Sequence, residues 1–189
     1  MEKKITLPLS REEARTLQCG QQLLLTGVIY TARDAAHKRL VELVEEGKEL
    51  PIPTEDLAIY YVGPAPAQPG QVIGSAGPTT SYRMDAYAPT LIKLGQTVMI
   101  GKGKRSPEVV EAMKKYGAVY LGAIGGAGAL LAGCVKKAEV VAYPDLGAEA
   151  IRRLEVEDLP VTVIIDAEGN DLYVEGRQKF LDLVNGVRA

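Results

Sequence analysis

The pattern of apolar and polar positions alternates along this chain between a period of two residues and a period of about 3.6 residues. Period-two alternation and short β-branched runs mark the segments that we predict as strands. Gly27 interrupts one of them, which indicates a bulge or a close backbone approach. The predicted strands are Lys4–Leu9, Gln22–Tyr30, Leu57–Val62, Gln71–Ser75, Thr97–Ile100, Val119–Leu121, Glu139–Tyr143 and Leu159–Ile165, the last turning at Asp166–Asn170 into a hairpin with Leu172–Val174.

Between these segments, apolar residues recur at helical spacing behind start signals. Ser10 and Glu13 have the Ser-x-x-Glu spacing of a capping box, and Pro107 fits the first position of a helix. Pro89 is expected to kink the helix that contains it. We therefore predict helices that follow Ser10, run from Asp34 to a stop at Gly47, span Arg83–Leu94, start at Ser106–Glu108 and cover Gln178–Val184.

The order of these elements is irregular, because several strands follow one another directly and the chain ends in a hairpin-like pattern. This order predicts an α/β fold with a mixed sheet flanked by helices, rather than a doubly wound sheet. The 189 residues are expected to form a single domain, 1–189. The proline-rich Gly63–Gly70 is interpreted as a rigid surface connection, because the parts on either side are too short for independent cores.

The composition is that of an ordinary globular domain, with 47% hydrophobic and 24% charged residues. A net charge of -2 without a basic patch argues against nucleic-acid binding. No apolar run approaches the roughly 20 residues of a membrane span, and Met1–Lys4 lacks the apolar core of a signal peptide. A cytoplasmic protein that does not bind membranes is therefore expected. Cys19 and Cys134 lack metal-binding spacing, so we expect small buried hydrophobes and no metal site on this chain.

The densest group of polar residues is Gly77–Asp85, in which the consecutive hydroxyls of Thr79–Ser81 precede a predicted helix near Arg83. Backbone N–H groups, hydroxyls and a guanidinium at a helix N-terminus suit a carboxylate or a phosphate. The alternative is a helix cap, in which one hydroxyl accepts a backbone N–H and Asp85 complements the helix dipole. These residues alone leave both interpretations open.

Further cationic positions follow other predicted strands. Arg33 stands at a strand-to-helix junction, either as a ligand-binding cation or as half of a surface ion pair with Asp34 or another carboxylate. His37, the only histidine, is either a solvated helix residue that titrates near neutrality or a supporting hydrogen-bond partner. Lys102 lies between two glycines, which form either a close backbone approach to a ligand or an exposed basic turn.

Two further segments give less information about the chemistry of a site. Lys104 and Arg105 are expected to be surface charges. Gly122–Ala129 is rich in glycine but lacks the spacing of a dinucleotide fingerprint. It therefore predicts a tight backbone turn that packs against a pocket or a partner chain.

Several of these blocks together resemble one protein family. Gly77–Asp85 is similar to the signature of the beta subunit, or C-terminal domain, of class I fumarases and the related L-tartrate dehydratases, which are iron–sulfur hydro-lyases. Further matches follow in the order of that family across nearly the whole chain, which makes the resemblance specific. These matches are Thr31–Lys38, Gly101–Gly103, Gly122–Ala127 and Pro160–Asn170.

The resemblance implies a swivelling β/β/α domain and the reversible addition of water to fumarate to give (S)-malate, a step of the tricarboxylic acid cycle. It implies a [4Fe–4S] cluster held by three cysteines of a partner alpha subunit, with no cofactor bound by this chain alone. The expected assembly is a hetero-oligomer, with a homodimer of this chain alone as an alternative. The alternative functions are an L(+)-tartrate dehydratase beta subunit and a non-enzymatic carboxylate-binding or assembly module.

The resemblance also implies roles for individual residues. Arg33, Arg83 and Lys102 would bind the two carboxylates of the substrate, since guanidinium forks match carboxylates and an ammonium supplies a point charge. Thr79 would bind substrate and transfer a proton, activated by an aspartate of the partner, while Thr80 and Ser81 fit better as helix caps. The residues implied to support the site are His37, Thr80 and Asp85.

Overall fold

The computed structural model describes residues 2–124, 126–177 and 181, and within them seven strands form one mixed sheet. The central strands are almost wholly buried, as expected for strands that are covered on both faces. The strands are β1 (Lys3–Thr6), β2 (Gln22–Thr31), β3 (Leu57–Tyr60), β4 (Gln96–Gly101), β5 (Val119–Gly122), β6 (Val135–Ala142) and β7 (Ile151–Ile165).

Five of these strands close into a small barrel. β2, β3, β4 and β5 are parallel neighbours, and the long β7 is antiparallel to both β5 and β2, so it joins the two ends. β1 adds to β2 in parallel, and β6 adds to β7 in antiparallel. The carboxyl ends of four parallel strands therefore meet at one end of the barrel.

Helices flank this barrel. α1 begins with the predicted capping box of Ser10 and Glu13, and α4 begins at Pro107 with the Ser106 side chain as its N-cap. Among the described helices, none has the length and hydropathy needed to cross a bilayer. The helices are α1 (Arg11–Ala14), α2 (Asp34–Glu45), α3 (Ala88–Leu94), α4 (Pro107–Tyr116) and α5 (Gly128–Gly133), and residues 172–177 are also helical.

The alternation of side chains along each strand divides the interior into two apolar cores. In β3, Ala58 and Tyr60 face one core inside the barrel, whereas Leu57 and Ile59 face a second core. The second core also contains the apolar faces of α2, α3 and α4. The barrel wall is thus packed on both sides, and the ends of its strands are held rigidly.

The predicted α/β class, with a mixed sheet and flanking helices, is confirmed. The predicted bulge is also confirmed, because the pairing of β2 with β7 shifts at Gly27. Gly27 has φ 136°, and a side chain there would meet the Leu7 carbonyl oxygen at 2.5 Å.

The strand predicted at Gln71–Ser75 is wrong, since this segment is irregular. It folds back on the proline-rich segment, where Ala65 N donates to Ser75 O at 2.9 Å and the backbone of Gly74 lies directly against Ala65 O. The neighbouring prolines have no N–H to donate, so a regular ladder cannot form there.

The helix predicted over Arg83–Leu94 is two separate elements. A 3-10 helix spans Ser81–Met84, and α3 begins only at Ala88, with Pro89 in its first turn. Proline lacks the N–H that a helix interior needs but is tolerated in a first turn, so the expected kink is a break.

The predicted C-terminal hairpin is also wrong. It is reduced to one bridge between Ile165 and Asp171, after which residues 172–177 are helical. Leu172 contacts the second core, which a helical turn allows it to reach. The predicted helix at Gln178–Val184 lies outside the described residues, apart from position 181.

Candidate functional site

The cationic residues singled out in the sequence lie at the carboxyl ends of the parallel strands. Arg33 follows β2 directly, and Lys102 follows β4. Between them, β3 ends near Gly63, whose backbone packs against the Arg33 guanidinium. Ligands of parallel sheets commonly bind beyond this end of the strands, where loops diverge. The fold therefore brings the separate sequence motifs to one edge.

The segment Thr79–Ser81 runs between the ends of β3 and β4 and is bonded to both. Thr79 N donates to Tyr61 O at 2.7 Å, and Ser81 N donates to Lys102 O at 2.9 Å. Lys102 N donates in turn to Thr79 O at 3.4 Å, so Thr80 and Lys102 form a parallel bridge. These bonds use only backbone atoms, and they place Thr79 beside Lys102.

The expectation that these hydroxyls are helix caps is wrong. Thr80 occupies the N-cap position of the 3-10 helix, but its side chain makes no capping bond. Ser81 Oγ instead bonds Tyr120 OH at 2.9 Å, and Tyr120 OH donates to Gly103 O at 2.9 Å. A 3-10 helix of four residues also carries too small a dipole for the predicted N-terminal anion site.

The hydroxyl of Thr79 is likewise not part of a helix cap. Thr79 precedes the N-cap by one residue and is half-buried. No hydrogen bond joins the hydroxyl of Thr79 or Thr80 to any other residue in the described ranges. Both hydroxyls can bond a ligand without breaking a contact within this part of the chain.

Arg83 connects the 3-10 helix to the start of α2. Its Nη2 donates to Asp34 Oδ2 at 2.9 Å, and the two side chains are 40% and 34% exposed. An ion pair this exposed contributes little to stability. The pair does bring the Arg83 guanidinium to the first turn of α2, next to Arg33.

Arg33 is half-buried, and its ion-pair partner is not the adjacent Asp34. Arg33 Nη2 lies 3.3 Å from Glu149 Oε1, and Ala35 N donates to Glu149 Oε2 at 3.2 Å. A side chain at Gly63 would come within 2.7 Å of Arg33 Nη1, so the glycine leaves room for the guanidinium in this position. The ion pair considered for Arg33 is therefore present, with Glu149 as the other carboxylate, and it is partly shielded from solvent.

His37 is fully buried beneath Arg33. Its Nδ1 lies 2.8 Å from the Arg33 carbonyl oxygen, which can only accept, so Nδ1 carries the proton. Burial lowers the pKa of His37 to about 4, although this hydrogen bond opposes the shift and the charge of Arg105 adds to it. The supporting hydrogen bond is confirmed, whereas the solvated histidine that titrates near neutrality is wrong.

We expect acid to destabilise the chain through His37 as the pH falls from 6.5 towards about 4. The unfolded chain binds the proton in this range and the folded chain does not, so the free energy of unfolding decreases. The side chain in His37→Gln can still donate to the Arg33 carbonyl but cannot titrate. The variant should therefore keep the about 3 kcal/mol of unfolding free energy that the parent loses by pH 4. Urea unfolding at several pH values measures this difference. Parallel stability curves for parent and variant would contradict it.

Lys102 is exposed, as an ammonium that binds a ligand must be. Within the described residues, no carboxylate lies at ion-pair distance from it. The preceding Gly101 is required because a side chain there would collide with Ser81 Oγ and Tyr61 Cδ2. Lys104 is exposed, as predicted.

Arg105, predicted as a surface charge, is buried. Its side chain is 0% exposed and donates from Nε to Asp85 Oδ1 at 2.7 Å. Asp85 Oδ2 accepts from Ser106 N at 2.6 Å. Asp85 therefore binds Arg105 and Ser106 N and does not complement a helix dipole, and its supporting role stays a prediction.

The glycine-rich segment packs against the residues that lead into the Thr79 loop. Gly128 O accepts from Ala76 N at 3.0 Å, and a side chain at Gly128 would collide with Ser75 Oγ. The predicted tight backbone turn is present at Gly126, although Gly125 lies outside the described residues. Its predicted packing against a pocket or a partner chain stays a prediction. A groove of about 420 Å³ lies nearby, lined mainly by the proline-rich segment and β6.

The two cysteines are half-buried, so the expectation of buried residues is met only in part. Burial raises the pKa of the Cys134 thiol, which disfavours the thiolate that a metal needs. Among the described residues, no group of three or more His, Cys, Asp or Glu side chains could hold a metal ion. The side chains at this edge instead suit an anion.

Four residues that contact the candidate site residues were not predicted from the sequence to belong to the site. Glu149 reaches Arg33 from a distant segment, and nothing in its surroundings marks it. Tyr61 directly follows β3 and Tyr120 lies in β5, so both have the pattern of core residues, and Arg105 has the pattern of a basic turn. Only the tertiary contacts identify them.

The sequence of this chain is similar to those of one protein family. A family model described as "Fumarase C-terminus" matches residues 1–176. The anaerobic class I fumarate hydratase of Escherichia coli (strain K12) is 49% identical over 154 residues, which cover 80% of this chain and 28% of that protein. Fumarate hydratase 2 of Leishmania major is 40% identical over 165 residues, which cover 86% of this chain and 29% of that protein.

A further relative has nearly the length of this chain. The putative L(+)-tartrate dehydratase subunit beta of Methanocaldococcus jannaschii is 37% identical over 183 residues, which cover 94% of both chains. The chain thus spans less than a third of the fumarate hydratases but almost all of this subunit. It belongs to the fumarase C-terminal domain family, together with class I fumarate hydratases and beta-type tartrate dehydratase relatives.

Proposed function

We propose that this chain is the beta subunit of a class I fumarate hydratase, which interconverts fumarate and (S)-malate together with an alpha subunit. The observation that carries the proposal is the placement of Arg33, Arg83, Lys102 and Thr79 at one end of the barrel. A partner is supported by the Methanocaldococcus jannaschii relative, which is named a subunit beta and matches this chain over 94% of both lengths. About 70% of the length of the fumarate hydratase relatives lies outside the part that this chain matches. In this proposal, the barrel is the swivelling β/β/α domain.

A dicarboxylate needs two cationic contacts, and this edge offers three. Arg33 is fixed by Glu149 and Gly63, which leaves its guanidinium in a set direction. Arg83 and Lys102 are exposed and can each turn towards a carboxylate. Two guanidinium forks would orient the carboxylates, and the ammonium would add charge without a fixed direction.

The reaction also needs a group that moves a proton at the carbon beside a carboxylate. In the dehydrating direction, the Thr79 oxygen would take this proton while the hydroxyl leaves the neighbouring carbon, and hydration reverses both steps. A threonine hydroxyl is a weak base, so an aspartate of the partner would have to accept the proton that Thr79 carries. The backbone bonds of Thr79 would hold its oxygen in place throughout.

The described residues of this chain do not fit an iron–sulfur cluster, because they offer no suitable group of ligands. The proposal therefore assigns a [4Fe–4S] cluster to three cysteines of the alpha subunit. The cluster would supply a Lewis acid for the substrate hydroxyl. The partner would also cover Arg83 and Lys102, which would otherwise meet the substrate in water.

Two other functions are compatible with parts of the observations. An L(+)-tartrate dehydratase beta subunit is favoured by the 94% coverage of the Methanocaldococcus jannaschii relative. A non-enzymatic carboxylate-binding module is favoured by the lack of a metal-ligand group in the described residues.

We expect the purified chain alone to show neither hydratase activity nor cluster absorbance after anaerobic reconstitution. The same chain, assembled with an alpha subunit that contributes three cysteines, should acquire both. Gel filtration after reconstitution separates bound cluster from loose iron. Cluster absorbance that stays with the isolated chain would contradict the division of roles.

The choice between acids is tested on the assembled complex with fumarate, (S)-malate and L-tartrate. The proposal predicts a kcat/KM for fumarate at least roughly 10-fold above that for L-tartrate, since tartrate brings an extra hydroxyl that needs its own polar partner. A reversed preference would make the complex a tartrate dehydratase. Binding of succinate without turnover of any acid would favour the carboxylate-binding module.

A further inference from the structure

A buried ion pair lies directly behind the candidate site. Arg105 is 8% exposed overall, and its guanidinium lies 5.2 Å from the centre of the Tyr61 ring and 5.0 Å from that of Tyr120. Its Nη1 also lies 3.3 Å from the Met99 sulfur. Burial raises the pKa of both phenols, so the rings meet the cation in their neutral form.

This pair is poorly suited to serve stability alone. Arg105 Nη2 is buried and has no hydrogen-bond partner among the described residues. Removing a guanidinium from water is costly, and a buried pair with an unmet donor often stabilises less than apolar residues of similar size would. A role in fixing the relative position of two chain segments explains why the pair occupies this place.

The segments that it joins carry the proposed functional groups. Asp85 ends the segment that contains Thr79 and Arg83, and Arg105 lies three residues after Lys102. The same two segments are also joined at their other ends, by the backbone hydrogen bonds that place Thr79 beside Lys102. In the middle, Tyr120 OH bonds both Ser81 Oγ and Gly103 O.

We propose that Asp85 and Arg105 are positioning residues that hold Thr79 and Arg83 in register with Lys102. The ion pair and the hydrogen bond from Ser106 N to Asp85 hold the end of the loop Thr79–Asp85 in place. The hydrogen bond of the Tyr120 hydroxyl to Ser81 holds the middle of this loop. The effect on turnover rests on the proposed function, whereas the effect on the loop itself does not. In this proposal neither residue touches the substrate, because the Asp85 carboxylate is bound to Arg105 and Ser106 N and the Arg105 side chain is fully buried.

The test uses a double variant of the full chain, Asp85→Asn/Arg105→Met. It removes both charges at once, so no unpaired charge is left buried, and the new amide can still accept from Ser106 N. Asp85→Asn alone is a companion variant that leaves the guanidinium unpaired and should be less stable. The matched control is Arg39→Gln, which breaks an exposed Arg–Asp pair with bonds of 3.0 Å and 2.6 Å to Asp145.

The first readout is amide hydrogen exchange of the chain alone. The double variant should accelerate exchange at Thr79 N and Ser81 N by roughly 10-fold or more, because the loop opens locally without global unfolding. Exchange at Val163 N, which donates to Gln21 O in the barrel, should stay as in the parent. The control should change neither. Unchanged exchange at Thr79 and Ser81 in a folded double variant would overturn the proposal.

The second readout is the kinetics of the assembled complex. The double variant should lower kcat for fumarate hydration by roughly 10- to 100-fold, with a smaller change in KM, since a displaced proton-transfer group reacts poorly although carboxylates still bind. The control should keep parental kinetics. Accelerated loop exchange with normal kcat would overturn the positioning role. If the parental complex itself hydrates no acid, the proposed function fails, while the exchange experiment still decides whether the pair orders the loop.

Discussion

Replacing Thr79 with alanine in the assembled complex is expected to lower kcat for fumarate hydration by roughly 100- to 10,000-fold, the usual contribution of a proton-transferring side chain. KM should change by only a fewfold, because the cationic side chains that bind the carboxylates remain. Steady-state kinetics and the thermal midpoint, measured on the same preparation, separate a chemical effect from a structural one.

The structure gives a reason to expect little loss of stability in this variant. The bonds that hold Thr79 to Tyr61 and Lys102 come from the backbone, and alanine keeps them. Thr80→Ala is the comparison variant, since its side chain makes no capping bond either and it lies one residue further along. It should lower kcat much less than Thr79→Ala, because Thr80 is not assigned the proton transfer. Near-normal kcat with a lowered thermal midpoint in Thr79→Ala would show that the residue is structural.

Arg83→Ala is expected to lower kcat/KM by roughly 10- to 100-fold, which corresponds to the loss of one charge-assisted contact of about 1.5–3 kcal/mol. Arg83→Lys should lose much of the same activity, because the charge survives but the two-point geometry does not. The Arg83 pair with Asp34 is exposed, so its loss should hardly affect folding. Kinetics of the assembled complex with fumarate measure these effects.

Arg33 and Lys102 should respond differently from Arg83. Arg33→Ala would also leave Glu149 half-buried without its partner, so a lower thermal midpoint should accompany the kinetic loss. Lys102→Arg should be mild, since an exposed point charge can be replaced by another cation. The assigned geometry would be contradicted if Arg33→Lys, Arg83→Lys and Lys102→Arg all changed kcat/KM by the same factor.

Features that depend on neighbouring residues could be predicted from the sequence. The capping box of Ser10 and Glu13 and the N-cap at Ser106 are bonds within one helical turn. The bulge at Gly27 follows from a backbone conformation that favours glycine. The approximate positions of β2, β4 and β5 follow from their apolar content, which burial on both faces requires.

Features that depend on distant contacts could not be predicted in the same way. Lys104 and Arg105 are adjacent and both basic, yet one is exposed and the other lies between two tyrosine rings. Arg33 takes its partner from a segment far along the chain, and not from the adjacent Asp34. The break before α3 depends on a proline that can either kink a helix or start a new one.

The candidate site was found through its resemblance to a family and not through chemistry visible in single residues. A threonine pair, an arginine after a strand and a lysine between glycines each have ordinary structural interpretations. The fold adds independent support because it brings these motifs to the carboxyl ends of neighbouring strands. The backbone bonds between Thr79 and Lys102 then give the arrangement a definite geometry.

The central claim, that this edge of the barrel binds a dicarboxylate, is tested most directly by a crystal structure of the assembled complex with an unreactive dicarboxylate such as succinate. The account predicts that the two carboxylates lie within hydrogen-bonding distance of the Arg33 and Arg83 guanidinium groups and the Lys102 ammonium, with the Thr79 hydroxyl facing one of the two methylene carbons between them. A dicarboxylate bound elsewhere, with Arg33 and Arg83 contacting only Glu149 and Asp34, would contradict it.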